Sequence, residues 1–348
     1  MIGRNSLKIK LLYPSKSRNN MSLHIAVTGA SGHIGNVLCR KLLEKGYRVK
    51  AFYNSDAQAL QGLDLEKIQG SVLSQADLTR LIRGCDYVVN CAAIISIDGD
   101  PKGLVFKTNT EGPKNVLEVA LQEGVKKVIH LSSVHAVTEL PHTQGYDETR
   151  PYKGNKDFVY DFSKATGEQI LLNAAAGHDI EVVVLRPSCV MGPFDFKPSK
   201  MGTALLDFYK RKIPLLPQGG YDMVDVRDVA DSICQAVEKG RNGEVYLLSG
   251  KFYDFNNLAE IIEKVTQIKT PGWVLPTWFL LATVPFIRIY SKITGSAPIF
   301  TRESLMALKN GHPRMDNSKA KKTLGHTVRP LEETLRDFYR WAAENKKI

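Results

Sequence analysis

The 348-residue chain is poor in cysteine. Its five residues, Cys39, Cys85, Cys91, Cys189 and Cys234, are scattered and odd in number. They are too sparse for a disulfide framework, and no C-x-x-C pair offers zinc-site spacing, so a reduced cytoplasmic protein without a metal is expected. Long hydrophobic runs are also missing. Residues 273–287 carry no charge, but Pro276 and Pro285 interrupt them, and the run falls short of the ~20 apolar residues of a spanning helix. Residues 273–290 are therefore expected to be buried, or to associate weakly with a membrane without crossing it. Acidic residues are absent from the first twenty positions, which hold Arg4, Lys8, Lys10, Lys16 and Arg18. Setting those five aside lowers the formal net charge from +11 to +6. With no basic stretch interleaved with aromatics, a nucleic-acid surface is not expected. Residues 1–20 read as a disordered basic leader, with Met21 a candidate natural start and a transit peptide the alternative. A hydrophobic fraction of 43% excludes disorder as the main state.

What is present is regular from Leu23 onward. The apolar run His24 to Thr28 meets glycines and then Ile34, Leu38 and Leu42 at i, i+4 and i+8, the pattern of strand, tight turn and amphipathic helix. Further strands are expected at Arg48 to Tyr53, Asp86 to Cys91, Val125 to Leu131, Glu181 to Arg186 and Glu244 to Leu248. Helical patterns separate most of them, notably Gly112 to Glu123 and Phe158 to Ala176. Alternating strands and helices predict an α/β fold, a doubly wound parallel sheet of Rossmann type covered on both faces. Residues 21–190 form the expected dinucleotide-binding domain. From about Met191, Pro193, Pro198, Pro214, Pro217 and Gly219-Gly220 break the pattern. Residues 191–348 are expected to make a small interleaved C-terminal lobe that returns strands, at about 221–250, to the sheet.

The turn after the first strand reads Gly29-Ala30-Ser31-Gly32-His33-Ile34-Gly35, or G-x-x-G-x-x-G. In such a turn Gly29 allows the tight bend, Gly32 the close approach of backbone to a pyrophosphate, and Gly35 the packing of helix on strand. The helix N-terminus adds free N–H groups and a positive dipole end. Ser31 and Ile34 belong to this cradle, and His33 is expected to pack near the pyrophosphate.

This spacing resembles that of the short-chain dehydrogenase/reductase superfamily, in its extended branch, from about Leu23 to Ala343. The resemblance is carried by Asn90-Cys91-Ala92-Ala93, Asn109-Thr110-Glu111-Gly112, Leu131-Ser132-Ser133, Tyr160-Asp161-Phe162-Ser163-Lys164, Arg186-Pro187-Ser188 with Gly192-Pro193, and Val224 to Asp228. It implies a nicotinamide dinucleotide cofactor, NAD or NADP, with Ala92, Ala93, Pro187, Ser188 and Val190 among the residues touching it.

Tyr160 and Lys164 are four apart and share a helix face. Hydride chemistry at a carbinol or carbonyl needs a proton donor of suitable pKa. One ammonium at about 4 Å, in an effective dielectric of about 20, supplies roughly 4 kcal/mol, or about three pKa units. Tyr160 is thus expected as general acid and base, with its pKa lowered toward neutrality by Lys164. The resemblance implies that Lys164 also binds the nicotinamide ribose. Ser133 is expected to hydrogen-bond the reacting oxygen, with Ser132 the alternative. Asn109 resembles the family's asparagine near a proton-relay water; the plainer readings are a strand-end cap for Ser133 and a helix start for Asn109. His135 either lines the pocket or is structural. Asp161 is expected to point away from the site, as a solvated or dimer-face charge.

Two positions depart from the family. Asn54-Ser55-Asp56 stands where an acid usually binds the ribose of NAD, or an arginine the phosphate of NADP; Asn54 brings no cation, which favours NAD. Gly70-Ser71-Val72 replaces a Gly-Asp pattern at the adenine edge, where Ser71 and Val72 remain candidate contacts. Lacking the arginine that usually flanks the Val224 to Asp228 motif in sugar-nucleotide enzymes, the chain resembles dihydroflavonol reductases and three-beta-hydroxysteroid dehydrogenases more closely. That implies an oxidoreductase acting on a ketone, aldehyde or secondary alcohol of a fairly apolar small molecule. A sugar-nucleotide epimerase or dehydratase is the alternative, and a non-catalytic redox sensor the second. A homodimer through the two long helices is expected, on Val116, Val119, Ala120, Ala165 and Leu172.

Overall fold

The structure, a computed structural model, describes residues 23–294 and 300–348. The leader expected at 1–20 lies outside the described residues. The strands in chain order are β1 (His24–Thr28), β2 (Arg48–Tyr53), β3 (Glu66–Gln69), β4 (Tyr87–Asn90), β5 (Lys127–Leu131) and β6 (Glu181–Pro187). They continue as β7 (Cys189–Met191), β8 (Leu216–Pro217), β9 (Gly220–Asp225), β10 (Val245–Leu248), β11 (Lys251–Asp254) and β12 (Val274–Leu275). The first helices are α1 (His33–Glu44), α2 (Gln75–Ile82), α3 (Leu104–Gln122), α4 (Val159–Ala175), α5 (Lys200–Tyr209) and α6 (Val226–Lys239). The last are α7 (Phe255–Thr266), α8 (Thr277–Thr294), α9 (Arg302–Asn310), α10 (Ser318–Leu324) and α11 (Leu331–Glu344).

Seven strands form one sheet in the order β3-β2-β1-β4-β5-β6-β10, and every neighbouring pair is parallel. This is the doubly wound arrangement expected from the alternation. The pleat sends successive side chains to opposite faces. Ile25, Val27, Val89, Ile129, Val183 and Leu185 pack under α1 and α6, while Ala26, Val88, Val128, Val182 and Val184 pack under α2, α3 and α4. Strand order reverses between β1 and β4, so their carboxyl ends open a crevice, the usual ligand position in such sheets.

Three local features differ from expectation. β3 has a single buried residue, Ile68, among polar neighbours; a short polar edge strand carries no apolar run to detect. β10 does join the large sheet, but β9 pairs instead with β7 and β11 in a separate three-stranded sheet. That sheet anchors the small lobe, whose core holds Phe208, Leu258, Ile262, Leu335, Phe338 and Trp341 from α5, α7 and α11. Finally, α3 begins at Leu104, not Gly112, after an N-cap, Gly103, in left-handed conformation with no side-chain cap. Pro113 therefore lies inside the helix.

Pro113 has no N–H to give the carbonyl of Asn109, four residues earlier. That carbonyl turns to α4, where a Cβ added at Gly167 would stand 2.0 Å from it. The bare α-carbon lets the two helices approach closely and fixes α4 against the sheet. In the same packing Val116, Val119, Ala120 and Ala165 are fully buried and Leu172 is half-buried against the sheet. The apolar residues that motivated a dimer are thus covered inside the chain and supply no outward face.

Gly167→Ala is expected to destabilise the fold by about 1–3 kcal/mol through overpacking, despite alanine's better helix propensity. Chemical denaturation would check this; an unchanged or raised midpoint would show that α3 yields without cost.

Candidate active site

The glycine turn is built as a cradle. Gly29 has φ +62°, and a Cβ there would sit 2.8 Å from the Ala92 nitrogen, so only glycine lets β1 turn against the segment after β4. At Gly35 a Cβ would come within 2.2 Å of the Gly29 carbonyl. The helix therefore packs on the turn itself, close to the role read from sequence. Gly32 is different: it is exposed, its added Cβ would meet only the Gly29 oxygen at 3.2 Å, and no side chain caps α1 behind it. Within the protein only that one carbonyl constrains the position. A bare, uncapped helix N-terminus open to solvent fits a pyrophosphate. His33 Nε2 hydrogen-bonds the Pro193 carbonyl at 3.0 Å, and Asn36 Nδ2 donates to the Phe194 carbonyl at 3.1 Å. Both side chains hold the loop after β7 beside the cradle, with Ser31 and Ile34 half-buried between.

The neighbouring strand ends are locked by a polar chain that runs through Asn90 of the Asn90-Cys91-Ala92-Ala93 motif. The Thr28 hydroxyl donates to Asn90 Oδ1 at 2.6 Å and accepts from the Ala92 N–H at 3.2 Å. Asn90 Nδ2 lies 3.1 Å from His130 Nδ1. Burial, and then the Lys164 charge, hold the His130 imidazole well below its ordinary pKa, so it stays neutral as the acceptor of that contact.

Ser133, Tyr160 and Lys164 converge at the carboxyl end of β5. Ser133 Oγ accepts from the His135 N–H at 3.1 Å, and its own hydroxyl turns to the Tyr160 phenol. Ser132 Oγ is buried without a partner. Lys164 is buried and donates to the Leu131 carbonyl at 2.8 Å. Its ammonium is therefore anchored to the strand and not to the phenol. Burial raises the Tyr160 pKa to about 12, against the pull of the Ser133 hydroxyl and with a further push from Asp161. The expected lowering by Lys164 is thus reversed. Lys164 is itself desolvated and falls to about 8, because its charge is as costly to bury as the phenolate.

Asn109 does not open a helix. It lies inside α3, its two amide protons go to the Ile94 carbonyl at 3.0 Å and Ser163 Oγ at 2.9 Å, and its oxygen accepts from the Ile94 N–H at 2.9 Å. With both donors committed, it is a clamp between the segment after β4 and α4.

Asp161 is buried, contrary to the solvated charge expected. Its carboxylate meets Lys153 Nζ at 2.6 Å and His135 Nδ1 at 3.4 Å, and Lys153 also meets Glu139 at 2.7 Å. Despite burial, these acids raise the Lys153 pKa, and Lys153 in turn holds the Glu139 carboxyl low. His135 stands edge-on to Tyr160, ring centroids 6.0 Å apart, which favours the pocket reading over the structural one. Lys153 and Glu139 lie in loops without a motif; only the buried register of Asp161 on α4 could have signalled a partner. A second pair was equally hidden. Arg186 and Glu168 are buried and doubly bonded at 2.6 and 3.1 Å, so the arginine of Arg186-Pro187-Ser188 ties α4 to β6.

The remaining candidates surround the crevice. Asn54 is exposed at the end of β2 and is held by the Gly70 carbonyl and Gln69. Ser71 Oγ accepts from the Leu73 N–H at 3.2 Å, and its own N–H donates to Asp77; Val72 is buried against Gly112. Ala92 is half-buried and Ala93 exposed above the crevice, while Pro187 ends β6, Ser188 follows it and Val190 lies in β7. The Val224 to Asp228 motif builds an ion network. Arg227 bonds Asp225 at 2.8 Å and Asp337 at 2.6 Å, and Arg329 bonds Asp228 at 2.7 Å.

Residues 25–249 match the family model described as NAD dependent epimerase/dehydratase family. The chain is 31% identical over 332 residues to "Sterol demethylase protein B" of Methylococcus capsulatus, covering 92% of this chain and 99% of that protein. It is 29% identical to "Putative dihydroflavonol 4-reductase" of Synechocystis, covering 90% and 93% of the two chains. The crystal structure of gox2253 superposes with a TM-score of 0.81 at 28% identity, covering 93% of this chain and 99% of that one.

In the cofactor-free protein the Tyr160 phenol is expected to stay protonated through the ordinary titration range of tyrosine. Phenolate absorbance, taken as the difference between wild type and Tyr160→Phe, should appear only toward pH 12. A difference signal titrating below pH 10 would show that Lys164 governs the phenol after all.

Proposed function

The chain belongs to the NAD-dependent epimerase/dehydratase family, within the extended short-chain dehydrogenases/reductases, and is an enzyme that works with a nicotinamide dinucleotide; from that premise we propose that it reduces the carbonyl of a fairly apolar small molecule. The observation that carries this reading is the convergence of Ser133, Tyr160 and Lys164 on the end of β5, beside the open cradle at Gly32.

The backbone of the Gly29 to Gly35 turn would hold the pyrophosphate, Asn54 the adenosine ribose and Lys164 the nicotinamide end. When bound, the nicotinamide supplies or accepts the hydride. The protein's own part is the proton. A phenol with a pKa near 12 is fully protonated at neutral pH, so Tyr160 stands ready as a general acid toward a carbonyl oxygen. The Ser133 hydroxyl, which turns to the same phenol, would position that oxygen. For oxidation the same phenol would first have to ionise, which burial opposes.

Two features support the finer choices. Asn54 itself brings no cation to the end of β2, and Lys50 is turned away to the Arg83 carbonyl. This favours NAD over NADP, whose extra phosphate needs a cation. In the small lobe Arg227 and Arg329 are consumed by Asp225, Asp228 and Asp337, which favours an apolar substrate over a nucleotide diphosphate. The reductase names among the relatives agree with this. The family's name keeps an epimerase as the second reading; epimerisation would leave no net oxidised cofactor, whereas reduction consumes reduced cofactor stoichiometrically.

Gly32→Val should fold, because its backbone is extended and the added Cβ presses only on the Gly29 carbonyl, at 3.2 Å, yet should no longer bind the dinucleotide. Unchanged calorimetric affinity in the folded variant would place the cofactor elsewhere. Tyr160→Phe should keep cofactor affinity and lose about a hundred- to ten-thousandfold in the chemical step. Single-turnover reduction at the wild-type rate would remove the phenol from the mechanism.

A further inference from the structure

We propose that the outer face of α8, with Trp273 just ahead of it, is a docking site for an anionic lipid bilayer, on which the small lobe lies without crossing. At about 100° per residue, Trp278, Phe279, Phe286, Ile289 and Ile293 fall on one stripe of α8. All five are exposed, between 43% and 79%, and Trp273 is 78% exposed. The opposite face is used up: Leu280 and Val284 are buried with Leu305 and Leu308 of α9. The helix thus carries two apolar faces, and packing within the chain covers one. Scattered exposed apolar residues are ordinary, but a continuous aromatic stripe marks an interaction surface.

Charge and residue type select the occupant. From position 269 to 302 the sequence has Lys269, Arg288, Lys292 and Arg302 and no acidic residue. Such a segment is attracted to anionic headgroups. Two of the chain's three tryptophans, Trp273 and Trp278, lie on this surface, the residue type that settles at membrane–water interfaces. Among the described residues no helix is long and apolar enough to cross a membrane, so the helix lies in the interface plane. Its inner side packs with Phe255 and Tyr221. At its root is a cavity of ≈ 430 Å³ lined in part by Gly219, Phe255, Val274 and Pro276.

The test is co-flotation of the full chain with vesicles of phosphatidylglycerol and phosphatidylcholine, alongside vesicles of phosphatidylcholine alone. Binding to the anionic vesicles, weakened by salt and accompanied by a blue shift of tryptophan emission, is expected. The variant Trp278→Ser/Phe286→Ser/Ile293→Ser should lose at least tenfold in vesicle affinity while binding NAD(H) like the wild type, which confirms its fold independently of any substrate. Failure to float with anionic vesicles would overturn the proposal, as would equal binding to both vesicle types. So would a concentration-dependent dimer that the triple variant abolishes in the absence of lipid binding, since a second copy of the chain would then own the face.

Discussion

The buried pair of Arg186 and Glu168 holds the active helix in place, and the rest of the site depends on it. Two charges taken out of water are tolerated only when their hydrogen bonds are complete. Here they are: the guanidinium makes two bonds to the carboxylate and one to the Glu148 carbonyl, and Tyr152 donates to the same carboxylate. Removing one partner of such a pair typically costs about 3–5 kcal/mol, because the other is left buried and charged. Glu168 lies one turn beyond Lys164 and two beyond Tyr160, so the pair fixes the height and rotation of α4 on β6. The close crossing at Gly167 fixes the same helix against α3 from its other side.

Around this anchored helix the electrostatics run by desolvation, not by a single attractive contact. The ammonium of Lys164 and the phenol of Tyr160 are both in low-dielectric surroundings, and each is driven toward its neutral form. A lysine bonded to a backbone carbonyl keeps its position but lends little to the phenol. The charges of Lys153, Asp161 and Glu139 form their own closed cluster next door, joined to the site through His135. The site is therefore proton-holding before any ligand arrives, which suits donation to a carbonyl better than abstraction from an alcohol.

The small lobe follows a different logic. Its motif arginine is spent welding α6 to α11 through Asp225 and Asp337. Its largest free resource is apolar: the outward stripe of α8. Polar welding inside and apolar surface outside suit a lobe that meets poorly soluble molecules.

Much of this was legible along the chain. Periodicity placed β1 and β2 to the residue, because buried parallel strands read as continuous apolar runs and the helices between them keep a 3.6-residue repeat. The glycine spacing located the cradle, since local backbone geometry at Gly29 and Gly35 depends on residues within one turn. Tyr160 and Lys164 were legible as a pair for the same reason, being neighbours on one helix. What the tertiary structure alone decided were matters of partnership across long separations. They include Asp161 turned inward onto Lys153, Asn109 spent on Ile94 and Ser163, Arg186 taken by Glu168, and β9 claimed by a second sheet. Hydrogen bonding and desolvation depend on which groups meet in space. A pattern along one element reports the face a residue shares, while the packing of other elements on that face sets its charge state and its partner.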